Sequence, residues 1–478
     1  MVLNPQIKVN VQENLTLTAP GGQAVIAIAG TAQWGSIADL QSFSSFSQLL
    51  DYYKEDKSTL TQGIVKAADL AYLNGANSVK VIRIADSSKA KSVKALAGNS
   101  GVESGVLTFS GIYYGTYGDN ILVTVTTKGS GRILEITDGV LTERYDNASN
   151  ANGYATNAAI GTAINGVSSL VTVAVKAGSE TTNLVDAASN QALASGNDGA
   201  TSIASSDYTT AFDTFLANEL WDVLIAPGTD ALNALDAFHT TMNGKLNTRA
   251  TTDKKFGIFI SGVTQNETVG SMQSRTTAGE RLVLCAPGIK YTPRYSGAVE
   301  GDYNGTFMAC CLAGLIAAGD IETAPTRKVL SVSPIVTVSS GKEYYNNSEI
   351  EQVLQQRIVP VSKIEGAIKV ARGVTRIADT TSIYFEINIV RIVDYVKAGV
   401  QTLLDPFLGQ SNLTRIRNVM GKSVDQFLQT AKDDSIIADY RTTEVSVGSS
   451  PDTVNVSMTI QPTFSINFIT VNVSVVRL

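Results

Sequence analysis

The carboxyl-terminal stretch of the chain has the clearest alternation of apolar and polar residues. A period of two is typical of a β-strand with one buried face. At the step from Phe468 to Ile469 the apolar residues move from even to odd positions, which predicts a bulge or a change of partner. Pro462 predicts a break or a sheet edge, because proline donates no hydrogen bond to a ladder. The even-numbered apolar residues are Val454, Val456, Met458, Ile460, Phe464, Ile466 and Phe468.

Both ends of the chain carry a short apolar strand pattern. A terminal strand can close the chain's own sheet, and an unpaired apolar strand can equally pair with a neighbouring chain. The segment Ala19-Pro20-Gly21-Gly22 gives the amino-terminal strand a flexible tether. Detachable strands at both ends favour exchange between subunits. The alternating apolar residues are Ile7, Val9 and Val11 near the amino end, and Ile469, Val471, Val473 and Val475 near the carboxyl end.

Between these arms, residues 1–19 and 463–478, the pattern predicts three further units. Buried strands such as Ala24–Ala29 and Val79–Ile84 alternate with helices and indicate one doubly wound α/β domain, built from residues 20–86 and 201–340. Short strands separated by glycine-rich turns predict a β-sandwich inserted at residues 87–200. The fold class is therefore a multidomain α/β and β protein.

Residues 341–462 are predicted to form an α+β carboxyl-terminal domain. Apolar residues at helical spacing mark its helices, and Ser423 with Gln426 resembles a capping box at a helix start. A short basic segment, residues 412–420, precedes that box and contains Arg415 and Arg417. The predicted helices are Ser348–Gln355, Arg391–Leu408 and Ser423–Lys432, and the predicted strands are Ile368–Arg372 and Ile383–Ile389.

Composition narrows the class of function. The formal net charge of −6, from 37 basic and 43 acidic residues, provides no basic field for nucleic acid. Charged residues make up only 17% of the chain, which suits an assembly whose faces are covered by neighbours. No apolar run is long enough to span a bilayer. The amino terminus lacks a basic and then apolar leader, so we expect synthesis and folding in a reducing cytoplasm.

Motifs for catalysis or cofactor binding are missing from the sequence. The one histidine, His239, lies at the edge of an apolar helical stripe, and we expect a surface or half-buried structural role. Three cysteines, Cys285, Cys310 and Cys311, cannot form a disulfide framework. Gly421-Lys422-Ser423 lacks the earlier glycine of a phosphate-binding loop, because residue 416 is isoleucine. We therefore expect no enzymatic activity, no catalytic or metal-binding residues and no cofactor.

One stretch looks like the nucleophile helix of subtilisin-type proteases. The similar residues are Gly305-Thr306-Phe307-Met308-Ala309 and Ala313-Gly314, and Phe307 stands where the catalytic serine would be. A serine protease also needs a base, and His239 is not in a comparable context. The similarity is therefore one of fold without the nucleophile.

Taken in order, the residues resemble the contractile tail sheath proteins of myophages and phage-tail-like particles, in the form seen in phages of Gram-positive bacteria. The resemblance covers nearly the whole chain and is weakest at residues 87–200. It departs from the family at residues 463–467, where relatives often carry acidic or aliphatic residues. The stretches that carry it are Ala24–Ala32, Ala309–Gly319 with Thr326–Leu330, Ser348–Glu351, Val390–Asp394, Val454–Gln461 and Phe464–Val475.

The resemblance implies a subtilisin-like α/β domain without protease activity, an outward-facing inserted sandwich and a carboxyl-terminal domain that faces a tail tube. It also implies arms that pair with adjacent subunits in six-fold rings stacked helically. The expected function is a sheath subunit that contracts to drive the tube through a host cell envelope for genome delivery. We predict that Arg415, Arg417 and Lys422 contact an acidic tube, although a solvated basic helix is the alternative.

The implied partners are the chain itself, the tail tube protein, and baseplate and tail terminator proteins, without direct nucleic-acid contact or membrane insertion. The expected location is the virion tail, assembled in the host bacterial cytoplasm. A phage and a phage-tail-like bacteriocin or injection system are equally compatible with this sequence. A static surface-layer or fimbrial protein that exchanges strands, and an inactive hydrolase, remain as alternatives from other classes.

Overall fold

The computed structural model describes residues 24–467, apart from residues 56–62, 219–220, 230–234, 254, 265–266, 299, 333–334 and 337–343. The predicted arm strands at residues 7–11 and 469–475 lie outside this described part. In chain order the strands are β1 (Ile26–Gly30), β2 (Leu40–Phe43), β3 (Val79–Arg83), β4 (Val93–Gly98), β5 (Glu103–Gly111), β6 (Leu122–Lys128), β7 (Gly131–Thr137), β8 (Thr142–Tyr145), β9 (Val171–Val175), β10 (Ala188–Ala192), β11 (Val223–Ile225), β12 (Ile258–Gly262), β13 (Leu282–Ala286), β14 (Gly288–Tyr291), β15 (Gly301–Tyr303), β16 (Ile335–Val336), β17 (Val359–Ile364), β18 (Ala367–Val370), β19 (Ile437–Val447) and β20 (Val454–Pro462). The α-helices are α1 (Phe46–Tyr53), α2 (Ile64–Leu73), α3 (Asn157–Ile164), α4 (Ser205–Asn218), α5 (Leu235–Thr248), α6 (Val269–Met272), α7 (Gly305–Ala318), α8 (Asn347–Gln355), α9 (Ile387–Leu404) and α10 (Thr414–Asp433).

An eight-stranded sheet forms the centre of the body. Its spatial order is β18-β17-β13-β12-β11-β1-β3-β2, with parallel pairing from β17 to β3. The two edge strands, β18 and β2, are antiparallel to their neighbours. Helices between parallel strands must cross a face of the sheet, so this order places helices on both faces.

Strand β1 shows how the two faces are filled. Its side chains are all buried, but they alternate between two apolar cores. Ile26 and Ile28 pack with α2 and α7, and Ala27 and Ala29 face α4 and α5. A strand buried on both faces is a continuous apolar run, which explains why the sequence shows no alternation here.

Helix α7 is apolar on every side and almost completely buried. The side chain of Asn304 begins it by accepting a hydrogen bond from the amide of Thr306 at 2.9 Å. Gly314 lets α7 approach α2 closely, because a Cβ atom there would lie 2.3 Å from the carbonyl oxygen of Ala71. Phe307, at the position compared with a protease serine, is fully buried in this packing.

Residues between β3 and α4 form a separate β-rich unit. Two antiparallel sheets, β4-β5-β9 and β10-β6-β7-β8, share one apolar core with α3. Trp34, which precedes this unit in the body, belongs to that core. Arg83 of β3 is fully buried and donates to the carbonyl oxygens of Gly35 at 2.8 Å and Tyr114 at 2.9 Å. The indole ring of Trp34 and the guanidinium of Arg83, both from the body, therefore hold the inserted unit in one orientation.

A fourth core lies between α9, α10 and the hairpin β19-β20. Two strands from the range predicted for the carboxyl-terminal domain, β17 and β18, belong to the central sheet. The domain limits stay predictions, and this arrangement favours a limit after β18 for the carboxyl-terminal unit, rather than residue 341.

Three local predictions, two in the carboxyl-terminal region and one in the body, are wrong. Residues 383–389 are not a strand: a single 3-10 turn, Ile383–Phe385, leads into α9, which begins at Ile387 and ends at Leu404. The Ser423 capping box is wrong, because α10 is continuous from Thr414 and Ser423 lies in its interior. His239 is fully buried and not at the surface.

Candidate assembly surface

Helix α10 is amphipathic and supplies one wall of the carboxyl-terminal unit. Its buried residues recur every three or four positions, as expected for a helix with one face against a core. They pack against α9 and against the hairpin, with Tyr395 of α9 and Phe427 of α10 in ring contact at 5.8 Å. The buried residues of α10 are Gly421, Val424, Phe427, Leu428 and Ala431.

Strands β19 and β20 form a two-stranded antiparallel sheet. The inward side chains Val456, Met458 and Ile460 pack on the helices but stay half-buried. In the described residues no third strand joins either outer edge of this hairpin. An unpaired edge offers a row of backbone donors and acceptors to another chain. The hairpin therefore has room for one further strand on each side.

A cleft of about 940 Å³ separates the hairpin from the α/β body. Its floor is the start of the central sheet's parallel strands, and its wall is α9 and β20. The cleft explains why the inner face of the hairpin is only half-buried. Among the residues that line it are Ala250, Phe256, Glu280 and Arg281 from the body, Lys397 and Val400 from α9, and Val456 and Met458 from β20.

A buried ion pair joins the two sides below this cleft. Arg281 precedes β13, Asp394 lies on α9, and both side chains are about nine-tenths or more shielded from solvent. Burial alone would lower the pKa of Arg281, but the hydrogen bonds and the charge of Asp394 raise it above its ordinary value. Burial raises the pKa of Asp394, and the hydrogen bonds and charge of Arg281 oppose that rise. The two-point contact between these side chains fixes α9 to the sheet.

The structure separates the three basic residues predicted to contact a tube. Arg415 and Lys422 are both exposed, and their spacing of seven positions puts them roughly 20° apart around α10. Arg417 faces roughly the opposite way and is half-buried. Its guanidinium donates to the side-chain oxygen of Asn412 at 2.6 Å and to the hydroxyl of Thr414 at 3.1 Å. Arg415 and Lys422 form one surface, and Arg417 holds the start of the helix.

Exposed apolar side chains lie just before α10 and on its basic face, where Val419 is four positions from Arg415 and three from Lys422. Leu408 is 79% exposed, and Leu413 and Val419 are each 48% exposed. Sequence reasoning missed them as surface residues. For Val419 the available signal was its position outside the apolar stripe of α10. An exposed surface that is basic and partly apolar is typical of a contact site for another protein.

The one histidine and the three cysteines of the chain are buried. His239 Nε2 lies 3.0 Å from the hydroxyl of Ser261, and both residues are fully buried. Burial, together with the nearby charge of Arg275, lowers the pKa of His239 to about 3. Burial raises the pKa of the thiols of Cys285, Cys310 and Cys311, all of which are free. The described part of the chain contains no cluster of metal-ligating side chains and no helix able to span a membrane.

The fold is that of contractile tail sheath proteins. The sheath tail protein of Listeria innocua superposes with a TM-score of 0.65 at 15% identity, over 92% of each chain. The sheath tail protein of Desulfitobacterium hafniense superposes with a TM-score of 0.64 at 14% identity, over 96% of this chain and 100% of the other. The contracted sheath complex of an extracellular contractile injection system, PVC, superposes with a TM-score of 0.53 at 9% identity, over 99% of this chain and 98% of the other. The predicted mixed α/β multidomain fold is thereby confirmed.

Residues 379–476 match the family model described as the phage tail sheath C-terminal domain. This region contains α9, α10, the hairpin and the root of the carboxyl-terminal arm. No curated protein matches the sequence. The resemblance to tail sheath proteins is confirmed by the family match and by the structural likeness together.

Proposed function

We propose that this chain is the structural subunit of a contractile tail sheath, which polymerises around a tail tube and contracts to drive the tube through a cell envelope. The observation that carries this proposal is the tail sheath domain at residues 379–476, within a chain whose whole fold is that of a sheath protein. The role is structural and requires no catalysis.

The two predicted arms match the two free edges of the hairpin β19-β20. Each subunit has one apolar arm pattern at each end, and each hairpin can accept one strand on each side. In the proposed lattice every hairpin becomes a four-stranded sheet that contains strands of neighbouring copies. Backbone hydrogen bonds give such added strands their affinity, so the subunits stay linked while their bodies rotate.

The basic surface of Arg415 and Lys422 faces the tube in this proposal. Its exposed position on α10, with the exposed Val419 on the same face, supports a contact with an acidic and partly apolar tube surface. Arg417 is left out of that contact because its guanidinium is bound to Asn412 and Thr414. The inserted unit faces outward, and the body retains a subtilisin-like arrangement without the nucleophile.

The free energy of contraction comes, in this proposal, from contacts between subunits that are more favourable in the contracted lattice. The partners are further copies of the chain, the tube protein, and baseplate and tail terminator proteins. Assembly takes place in the bacterial cytoplasm and yields the tail of a phage or of a phage-tail-like particle. A static surface-layer protein is less favoured, because one of the similar structures is the sheath complex of an extracellular contractile injection system.

Electron microscopy of the purified chain tests the proposal. The intact chain is expected to form hollow tubes or stacked rings, alone or with the tube protein. Deletion of residues 1–18 or 469–478 is expected to leave monomers. An intact chain that stays monomeric under both conditions would contradict the proposal.

Matched substitutions in the arms separate strand pairing from added charge. Val9→Asp with Val11→Asp places two charges on the apolar face of the amino-terminal arm and is expected to block assembly. Asn10→Asp with Gln12→Asp adds the same charge to its polar face and is expected to preserve assembly. Equal effects of the two pairs would contradict a strand with one buried face.

A further inference from the structure

The apolar stripe of the carboxyl-terminal region changes direction at Pro462. Along β20 the even-numbered side chains face the helices of the same chain. Beyond Pro462 the even-numbered side chains point to solvent, with Phe464 53% and Ile466 82% exposed. The odd-numbered Ser465 and Asn467 are half-buried against α9. This order is the reverse of ordinary burial, in which apolar side chains face the protein.

Polar contacts hold the inner side of this segment in place. The hydroxyl of Thr463 donates to the carbonyl oxygen of Ser435 at 2.7 Å. The amide of Asn388 donates to the hydroxyl of Ser465 at 3.3 Å, and the amide of Asn467 donates to Glu386 Oε1 at 2.5 Å. Residues 463–467, the arm root, are therefore anchored to the start of α9.

The carboxylate that receives Asn467 is itself fixed. Arg372 donates to the same oxygen of Glu386 at 2.8 Å, and the carboxylate is 9% exposed. Since a buried charge must be paired to be tolerated, this ion pair stabilises the anchor. The polar cluster of Arg372, Glu386, Asn388, Ser465 and Asn467 thus determines which side of the arm root faces outward.

The outward side of the arm root is still open to a partner. Within the described part of the chain, the backbone amides of Phe464, Ser465 and Ile466 donate no hydrogen bond. Two large exposed apolar side chains beside unpaired backbone amides are typical of a surface that becomes buried in an assembly.

We propose that Phe464 and Ile466 form a contact with a second copy of this chain, and that the polar cluster aims the carboxyl-terminal arm toward that copy. The inference rests on the proposed sheath function, because it assigns the arm root to the same lattice. The root leads directly into residues 468–478, the predicted donated strand, so a contact here is continuous with the proposed strand exchange.

The position of the arm root argues against the tube as the occupant. Ser435, which binds Thr463, follows the end of α10, and Arg415 lies near its start. Twenty residues of α-helix separate the two points by roughly 30 Å. The arm root also carries no charged residue, so it does not match an acidic tube surface.

Assembly of the full-length chain tests the inference. The variants are Phe464→Ser with Ile466→Ser, and Ile466→Ser alone. Val140→Ser is the matched control, because Val140 is 86% exposed on the inserted unit. Sedimentation and electron microscopy measure the threshold concentration for assembly, and thermal unfolding below that threshold measures the fold of the monomer.

The double variant is expected to raise the threshold by about 100-fold and Ile466→Ser by about 10-fold, because apolar area is no longer buried between copies. The unfolding temperature is expected to stay unchanged, because both side chains are exposed in the monomer. A double variant that assembles at the original threshold, or an equal effect of Val140→Ser, would overturn the inference and leave the sheath function standing. Failure of the intact chain to assemble would overturn both.

Discussion

The guanidinium of Arg281 donates two hydrogen bonds to the carboxylate of Asp394, at 2.6 and 2.8 Å. This two-point contact joins the central sheet to α9, and its planar geometry fixes orientation as well as distance. A carboxyl-terminal unit attached in this way moves with the α/β body. Changes in a lattice of such subunits then occur between copies.

Removing one partner of this pair should be costly. Asp394→Ala leaves a buried guanidinium without a counter-charge, so we expect a loss of about 3–5 kcal/mol in the free energy of unfolding. Asp213→Ala is the control, because Asp213 forms an ion pair with Lys245 at 2.6 Å but is 56% exposed. Its loss is expected to stay below about 1 kcal/mol in chemical denaturation. Equal losses in the two variants would show that the buried Arg281–Asp394 pair stabilises the fold no more than an exposed ion pair does.

The single histidine makes stability depend on pH. The folded chain keeps His239 neutral down to about pH 3, whereas the unfolded chain binds a proton below its ordinary value of 6.5. The unfolded state therefore gains protons first, and stability falls as pH drops below about 6.5. We expect a loss of about 2 kcal/mol between pH 7.5 and 5. His239→Gln should lower stability overall but remove this slope, and an unchanged slope would contradict the assignment.

The packing of α7 on α2 predicts opposite effects for two glycine substitutions. Gly314→Ala gains up to about 1 kcal/mol in helix propensity but forces a Cβ atom against the carbonyl oxygen of Ala71. Overpacking of this kind costs about 1–3 kcal/mol, so we expect net destabilisation. Gly244→Ala on α5 meets no atom within 4 Å and should stabilise the chain by up to about 1 kcal/mol. Thermal unfolding of both variants measures the difference.

Charge reversal tests the basic surface of α10. Arg415→Glu with Lys422→Glu should prevent co-assembly with the tube protein, because both charges lie on one exposed face. Arg144→Glu, at a position 61% exposed on the inserted unit, is the control and should co-assemble normally. Arg417→Gln should leave tube binding intact and weaken the start of α10. Co-assembly by the doubly reversed chain would refute the contact.

The buried elements of the body were predictable because their apolar residues follow the periods of strands and helices. Strand β17 was not predictable in this way. Pro360 lies within it, and a proline argues against a strand that is paired on both sides. Strand β19 was missed because both of its faces are largely exposed, so it has no apolar alternation. Its pairing with β20 is a tertiary effect that a local pattern cannot contain.

The error in α10 has a similar origin. In the sequence, Gly421 and Ser423 resemble a loop followed by a capping box. In the structure, both residues lie inside a continuous helix, and Gly421 is buried. A Cβ atom at Gly421 would lie 3.3 Å from a side-chain carbon of Val445, so a small residue lets β19 approach the helix. The candidate basic residues were identified from composition, but only the helix shows that Arg417 points away from Arg415 and Lys422.

The order of strands in the central sheet also determines how long strand β1 lacks one of its neighbours during synthesis. Strand β1 lies between β3 and β11. Strand β11 begins roughly 140 residues after the end of β3, and a chain is synthesised at about 5–20 residues per second. One edge of an apolar strand therefore stays open on the ribosome for roughly ten to thirty seconds. The inserted unit is complete during that interval and can fold beside the open edge. The insertion thus delays closure of the body, and chaperone demand during synthesis should depend on its length.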